Sequence, residues 1–322
     1  VDVAVLLGVA GLEEHLEVVE ERLRQSVGAM DPFLAQVAGH LVTAGGKRIR
    51  PALTMAAALA GGAEVTEDVV MGGVAVELVH VGSLCHDDVM DEADSRRGVE
   101  SVNHRWGNLV AILAGDFLLA RASDICADLG TPMASLLART IGRLCEGQVS
   151  ELRTAFNADR TEEECLESLR GKTASLTSAA CRIGALVAGL PTDEVDALTT
   201  FGEAFGMCFQ IRDDVLDVIG DEATLGKPVG QDLIEGTYSL PVLRALADPE
   251  VGAELRPLLG RPLDTPERDK ARAMVRASRG VDEALAVAHD FAARSGEALH
   301  VFRDSAAADG LAGSAYRLLD AL

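Results

Sequence analysis

Between Thr66 and Asp91 no proline interrupts a pattern that is apolar almost throughout and closes on Asp87-Asp88-Val89-Met90-Asp91. A run of that length without a breaker reads as one long helix. The rest of the chain keeps the same rhythm. Helices are predicted over Leu12 to Val27, from the Asp31-Pro32 cap onward, over Ile49 to Leu59, Asn108 to Leu129 and Pro132 to Phe156. Two more follow, Thr161 to Leu190 with an interruption near Gly171, and Asp193 to Ile219. Aromatic residues are only 3%, so the interior must be packed mainly by Ala, Leu, Val and Met. That suits closely packed helices better than a β-sandwich. No alternating strand series, βαβ rhythm or short repeat is found. The expectation is an all-α bundle of many helices in a single domain over residues 1–322, with 1–30 as a peripheral N-terminal helix. Long polar loops are expected at 92–107 and 220–238.

Charge and composition narrow the partners. A net charge of −22 argues against nucleic acid, whose phosphates select basic surfaces. It leaves room for a small phosphorylated substrate reached through metal ions. No apolar run is read as long enough to cross a bilayer. The apolar Val1 to Ala10 stretch has neither a basic stretch before it nor a cleavage site, so no signal peptide is expected. The six cysteines form no CxxC pair, which points to buried, reduced thiols and a cytoplasmic protein. Lysine is rare: Lys47, Lys172, Lys227 and Lys270 stand among 25 arginines, and the first three each follow a glycine. Such placement marks sites where a compact ammonium serves better than a planar guanidinium.

The chemistry is carried by two identical aspartate clusters, Asp87-Asp88-x-x-Asp91 and Asp213-Asp214-x-x-Asp217. Residues four apart share a helix face, so Asp87 projects with Asp91 and Asp213 with Asp217. Like charges at that spacing destabilise a helix unless a cation sits between them, and hard oxygen ligands suit magnesium. With 26 aspartates in 322 residues, one such pattern arises by chance about 0.2 times per chain. Two copies at the ends of long apolar helices are a much stronger signal. Gly45-Gly46-Lys47-Arg48-Ile49-Arg50-Pro51 places three cations at a glycine-rich turn before a helix, an arrangement that receives anions. Arg96-Arg97 follows the first aspartates and can grip diphosphate oxygens bidentately. Gly171-Lys172-Thr173 is not a P-loop, because Leu166 stands where its first glycine is required. Together these parts fit a condensation. One diphosphate is pulled off through metals at the aspartates, while Lys47 and Arg50 hold a second without ionising it.

At this point the sequence resembles the trans-polyprenyl diphosphate synthases. The matching stretches are GGKRIRP at 45–51, ELVHVGSLCHDDVMDEADSRRG at 77–98, NHRWGN at 103–108, GDFLLARA at 115–122, GKTASL at 171–176, FQIRDDVLDV at 209–218 and LGKPVGQDL at 225–233. The resemblance implies an all-α isoprenoid-synthase fold around a deep central cavity, with both aspartate clusters facing it. It implies that Lys47, Arg50, His80 and Arg97 bind isopentenyl diphosphate and Arg96 the allylic diphosphate. Lys172, Thr173, Gln210 and Lys227 would grip the allylic diphosphate and steady the cation. Magnesium, three ions with substrate bound, would be held from Asp87, Asp88, Asp91, Asp213, Asp214 and Asp217. A homodimer is implied, without a transmembrane segment, although the membrane could be touched briefly as product leaves. Arg212 stands where the family commonly has a small residue, and Thr237 where many members have lysine.

Product length has its own handle. Gly82 and Ser83, one turn before Asp87, with Val79 a turn deeper, would wall the growing chain. Short-chain members plug that level with bulky side chains. Small residues here predict a product of about thirty carbons or more, with a geranylgeranyl-length product as the alternative. Three other readings stay open at this stage. Glu77-x-x-His80 and Glu297-x-x-His300 have the spacing of di-iron carboxylate bundles. A class I terpene cyclase shares the first aspartate cluster, but Asp217 stands where its second motif needs Ser or Thr. A non-catalytic partner subunit is the third.

Overall fold

The long apolar run is the helix Glu67–Met90. Thr66 caps its start by accepting from the Val69 N–H at 3.4 Å, and Glu67 and Asp68 complement the positive end of its dipole. By length and composition this helix could cross a bilayer, which corrects the expectation that no run is long enough. In this protein 72% of its apolar window is buried, as in a core helix.

The computed structural model describes residues 2–28, 31–221 and 229–322. In chain order the helices are α1 (Val3–Leu7), α2 (Leu12–Ser26), α3 (Pro32–Thr43), α4 (Ile49–Ala60), α5 (Glu67–Met90), α6 (Val102–Trp106), α7 (Asn108–Asp128), α8 (Thr131–Thr154) and α9 (Glu162–Leu169). A π-turn over Arg170–Ala174 leads into α10 (Ser175–Val187) and then α11 (Thr192–Ile219). The last are α12 (Gln231–Glu235), α13 (Leu240–Ala247), α14 (Gly252–Leu255), α15 (Thr265–Ala277), α16 (Gly280–Ala298) and α17 (Ala306–Asp320). The fold is all-α. Among the described residues its one ribbon is β1 (Ser95–Arg96) paired antiparallel with β2 (Val99–Glu100). Arg97 at φ 54° and Gly98 at φ 76° make its two-residue turn, the left-handed pair a tight hairpin requires.

Contacts divide the chain into two compact units. The first comprises residues 1–141, 176–202 and 298–314, the second 142–175, 203–297 and 315–322. In the first, α5 packs most extensively on α7, then on α4 and α2. Helix α5 meets α7 at glycines: a side chain at Gly82 would come within 3.1 Å of the Gly115 carbonyl. The N-terminal helices are not peripheral. Leu7, Leu12, Val19 and Leu23 are fully buried, because the apolar stripe of α2 faces α5 and α4. In the second unit, Arg272 on α15 donates to the Val218 carbonyl at 2.6 Å and to the Gly220 carbonyl, tying down the end of α11. All six cysteines are free. Five are buried as expected, and Cys145 is exposed.

Candidate active site

Within the first unit, α5 delivers Asp87 half-buried and Asp91 exposed at its C-terminal end. Asp88 goes elsewhere. It is fully buried, and its Oδ1 accepts from Arg96 Nε and Nη2, both at 2.6 Å. Burial pushes its carboxyl upward against the opposing pull of Arg96. Asp88 faces away from Asp87, because a neighbouring helix position points about 100° round the axis, and its Oδ2 is buried with no hydrogen-bond partner. Its Oδ1 is thus engaged by Arg96.

The basic turn follows α3 through Gly45 and Gly46, both at positive φ. Lys47 is exposed, Arg50 half-buried and Arg48 only 4% exposed. Arg50 Nε is buried with no hydrogen-bond partner, an orphaned donor of the kind a buried site keeps for a ligand. Burial lowers the Arg50 pKa, Glu77 opposes that, and Arg97 reinforces it. His80 lies half-buried on the same side of α5. Burial, followed by the charges of Arg50, Arg97, Arg48 and Arg96, holds its imidazole well below the usual 6.5. Arg50, Arg97, Arg48 and Arg96 are thus gathered around one neutral histidine, while Lys47 stands exposed in the turn before α4. Glu77 pairs with Arg48 at 2.8 Å, and a metal cation beside His80 would meet four guanidiniums, so the di-iron reading fails here.

Of the product-length residues, Val79 is 0% exposed and Gly82 is packed on α7. Ser83 is half-buried, its hydroxyl donating to the His80 carbonyl at 2.9 Å. Ser83 is thus the least enclosed of the three positions expected to wall the product.

In the second unit the π-turn is the organising feature. Gly147 on α8 lies so close to Gly171 that a side chain at 147 would reach the Lys172 nitrogen at 2.5 Å. Lys172 Nζ pairs with Glu151 at 2.6 Å. Thr173 Oγ1 donates to Gln210 Oε1 at 2.8 Å, and Gln210 Nε2 donates to Asp214 Oδ1 at 2.9 Å. Lys172, Thr173 and Gln210, grouped by resemblance alone, are thus joined through one helix irregularity of a kind common at functional sites.

The second aspartates have three different environments. Asp213 is half-buried. Asp214 is 6% exposed, its Oδ2 has no partner, and burial pushes its carboxyl up to about 8, opposed by Gln210 and aided by Asp213, Glu151 and Asp217. Asp217 is 5% exposed and accepts from the Gln231 and Asp232 N–H groups at 3.2 Å each, anchoring the start of α12. Each of its carboxylate oxygens thus accepts one backbone N–H. Asp232, which spacing alone did not single out, joins this cluster: burial and then Asp217, Asp214, Glu235 and Asp213 raise its pKa well above the ordinary carboxylate value. Its signal was the Gly230-Gln231-Asp232 step after a glycine-rich loop. Arg212 is turned to the chain end, donating to the Ala321 carbonyl at 2.9 Å, and the Thr237 N–H donates to the Asp232 carbonyl at 2.9 Å. Lys227 lies outside the described residues.

A family model described as polyprenyl synthetase matches residues 31–277. The chain is 43% identical over 245 residues to heptaprenyl diphosphate synthase component 2 of Geobacillus stearothermophilus, covering 76% of each. It is 40% identical over 305 residues to nonaprenyl diphosphate synthase of Mycobacterium tuberculosis, covering 94% of this chain and 88% of that one. It is also similar to the crystal structure of polyprenyl synthase from Caulobacter crescentus CB15, complexed with calcium and isoprenyl diphosphate. There the TM-score is 0.91 at 32% identity, over 98% of this chain and 97% of that one.

Proposed function

The chain belongs to the polyprenyl synthetase family, and from that premise we propose that it condenses isopentenyl diphosphate with an allylic diphosphate to make a long all-trans polyprenyl diphosphate. The observation that carries the reading is the orphaned Arg50 Nε on α4, close to the cations of the basic turn and the hairpin, within a unit whose α5 ends on accessible Asp87 and Asp91. A metal-free cationic site holds a diphosphate intact, whereas carboxylates that recruit a divalent cation promote its departure. Residues 1–322 act as one catalytic domain in this reading.

Both donor sets are carboxylate oxygen and fit magnesium: Asp87 and Asp91 in the first unit, and in the second Asp213 beside Asp214 and Asp232, which are crowded enough to favour a nearby cation. Among the described residues no three carboxylate, imidazole or thiol groups converge on one point, so water and diphosphate oxygens would complete the coordination. Bound magnesium supplies charge stabilisation for the departing diphosphate. The residues do the rest. Lys47, Arg50 and neutral His80 orient isopentenyl diphosphate so that its double bond can attack. Arg96, preset by Asp88, meets the allylic diphosphate. The Gln210 carbonyl oxygen and the Thr173 hydroxyl oxygen, paired with each other, present the negative ends of their dipoles to the developing cation. The C1–O bond of the allylic partner breaks and releases diphosphate, a carbon–carbon bond forms from the terminal alkene carbon of isopentenyl diphosphate, and the released diphosphate takes the proton lost from the isopentenyl C2.

The same proposal includes a homodimer in the cytoplasm. Incubation with isopentenyl diphosphate, an allylic starter and magnesium, followed by sizing of the products, tests it. Chains of about thirty carbons or longer are expected from the single polypeptide. No elongation by folded protein would overturn the reading, and activity only on adding a second, different chain would overturn the homodimer.

A further inference from the structure

Glu77 takes no part in the proposed reaction, yet the basic turn and the hairpin both hang on it. It is 1% exposed, and its Oε1 accepts from Arg48 Nη1 at 2.8 Å and from Arg97 Nη2 at 3.4 Å. The rest of the Arg48 guanidinium is engaged inside the protein. Nε and Nη2 reach Glu20 at 2.5 and 3.2 Å, and Nη2 reaches the Val42 carbonyl at 2.7 Å. Arg97 Nη1 donates to the Leu41 and Gly45 carbonyls at 3.2 and 2.6 Å. The same guanidinium fills the space beside Gly46, where a Cβ would meet its central carbon at 3.0 Å.

Arg48 at φ 50° and Arg97 at φ 54° both occupy the left-handed region. A residue with a side chain stays there only where its surroundings over-determine it. One arginine belongs to the turn before α4 and the other to the hairpin after α5, and they share one buried carboxylate. We infer that Glu77 is a positioning residue: through Arg48 and Arg97 it fastens the basic turn to the hairpin and fixes where Lys47, Arg50 and Arg97 meet a diphosphate. Arg48, although it stands between two ligands in sequence, is a strut. The inference rests on the reading of Lys47 and Arg50 as the metal-free diphosphate site.

The sign of one measurement separates positioning from a simple field effect. Glu77 is an anion near an anion site, so acting through its field alone its neutralisation would tighten a diphosphate. As a positioning group its neutralisation releases two arginines and loosens it. Glu77→Gln, nearly isosteric, is checked for folding by thermal melting. Isopentenyl diphosphate binding is then titrated without magnesium, and KM is measured for both substrates. Affinity for isopentenyl diphosphate is expected to fall about tenfold, with the allylic KM changed less than about twofold. Unchanged or tighter binding in folded Glu77→Gln overturns the inference. Should that variant not fold, Glu20→Gln acts on the outer face of Arg48, where the Glu20 side chain is 31% exposed. There a loss of about threefold is expected, and no loss overturns the inference. Lys47→Ala and Arg50→Ala are run beside these. If neither weakens isopentenyl diphosphate, the reading of the basic turn fails and takes the inference with it. If both do and Glu77→Gln does not, the role of Glu77 alone fails.

Discussion

Asp87 and Asp88 are consecutive, but a helix turns about 100° between them, and their surroundings diverge accordingly. Asp87 is half-buried at the end of α5, while Asp88 is fully enclosed against Arg96. Asp87→Asn is expected to lower kcat/KM by about a hundredfold or more at unchanged stability, as removal of a metal ligand does. Asp88→Asn removes one partner of an ion pair whose other member is about a third exposed, and is expected to cost about 1–3 kcal/mol in chemical denaturation. The reverse pattern in steady-state kinetics and urea titration would make Asp88 the ligand. Spacing announced the aspartates because their chemistry repeats at helical intervals. It set Asp87 on a different face from Asp88, but could not say what surrounds each, tell the environment of Asp213 from that of Asp217, or expose the Glu77–Arg48 pair, since sequence gives a direction around a helix and not what stands there.

At the scale of elements, the sequence was read best where a signal spans several turns. The Asp31-Pro32 cap opens α3, with Asp31 Oδ1 accepting from the Phe33 and Leu34 N–H groups at 2.8 and 3.0 Å. Helices α4, α7 and α11 start and end within about two residues of where periodicity puts them, the usual scatter of such boundaries. The hairpin at 95–100 escaped because two-residue strands carry no alternation to detect. The crossing of α5 on α7 also revises the product-length argument. Gly82→Phe is expected to destabilise the protein by about 3 kcal/mol or more, because the ring must displace the α7 backbone at Gly115. Ser83→Phe, at a half-buried position, is expected to keep the fold and shorten the product by one or more isoprene units. Product sizing and thermal melting of the two variants check both statements. A full-length product from Ser83→Phe would remove Ser83 from the wall.

For the molecule as a whole, a charge of −22 sets how it meets its ligands. Substrates and protein are both anionic, so association must run through divalent cations or local basic patches. Because no three ligand groups converge among the described residues, magnesium alone should stabilise the protein little. Magnesium with inorganic diphosphate is expected to raise the melting temperature by several degrees, since a ligand at a hundred times its dissociation constant contributes about 2.7 kcal/mol. A chelator should return it to the starting value. A full shift from magnesium alone would mean a preformed metal site.

The π-turn at Arg170–Ala174 amounts to one amino acid more than an unbroken helix would hold between α9 and α10. The wide turn absorbs that surplus locally, so swapping side chains for better helix formers cannot remove it. Only excision of one residue could, by closing the wide turn into ordinary helical hydrogen bonding. The turn thus behaves as a length-encoded feature, one that a lineage can lose through a three-nucleotide deletion but cannot drift away from by point substitution.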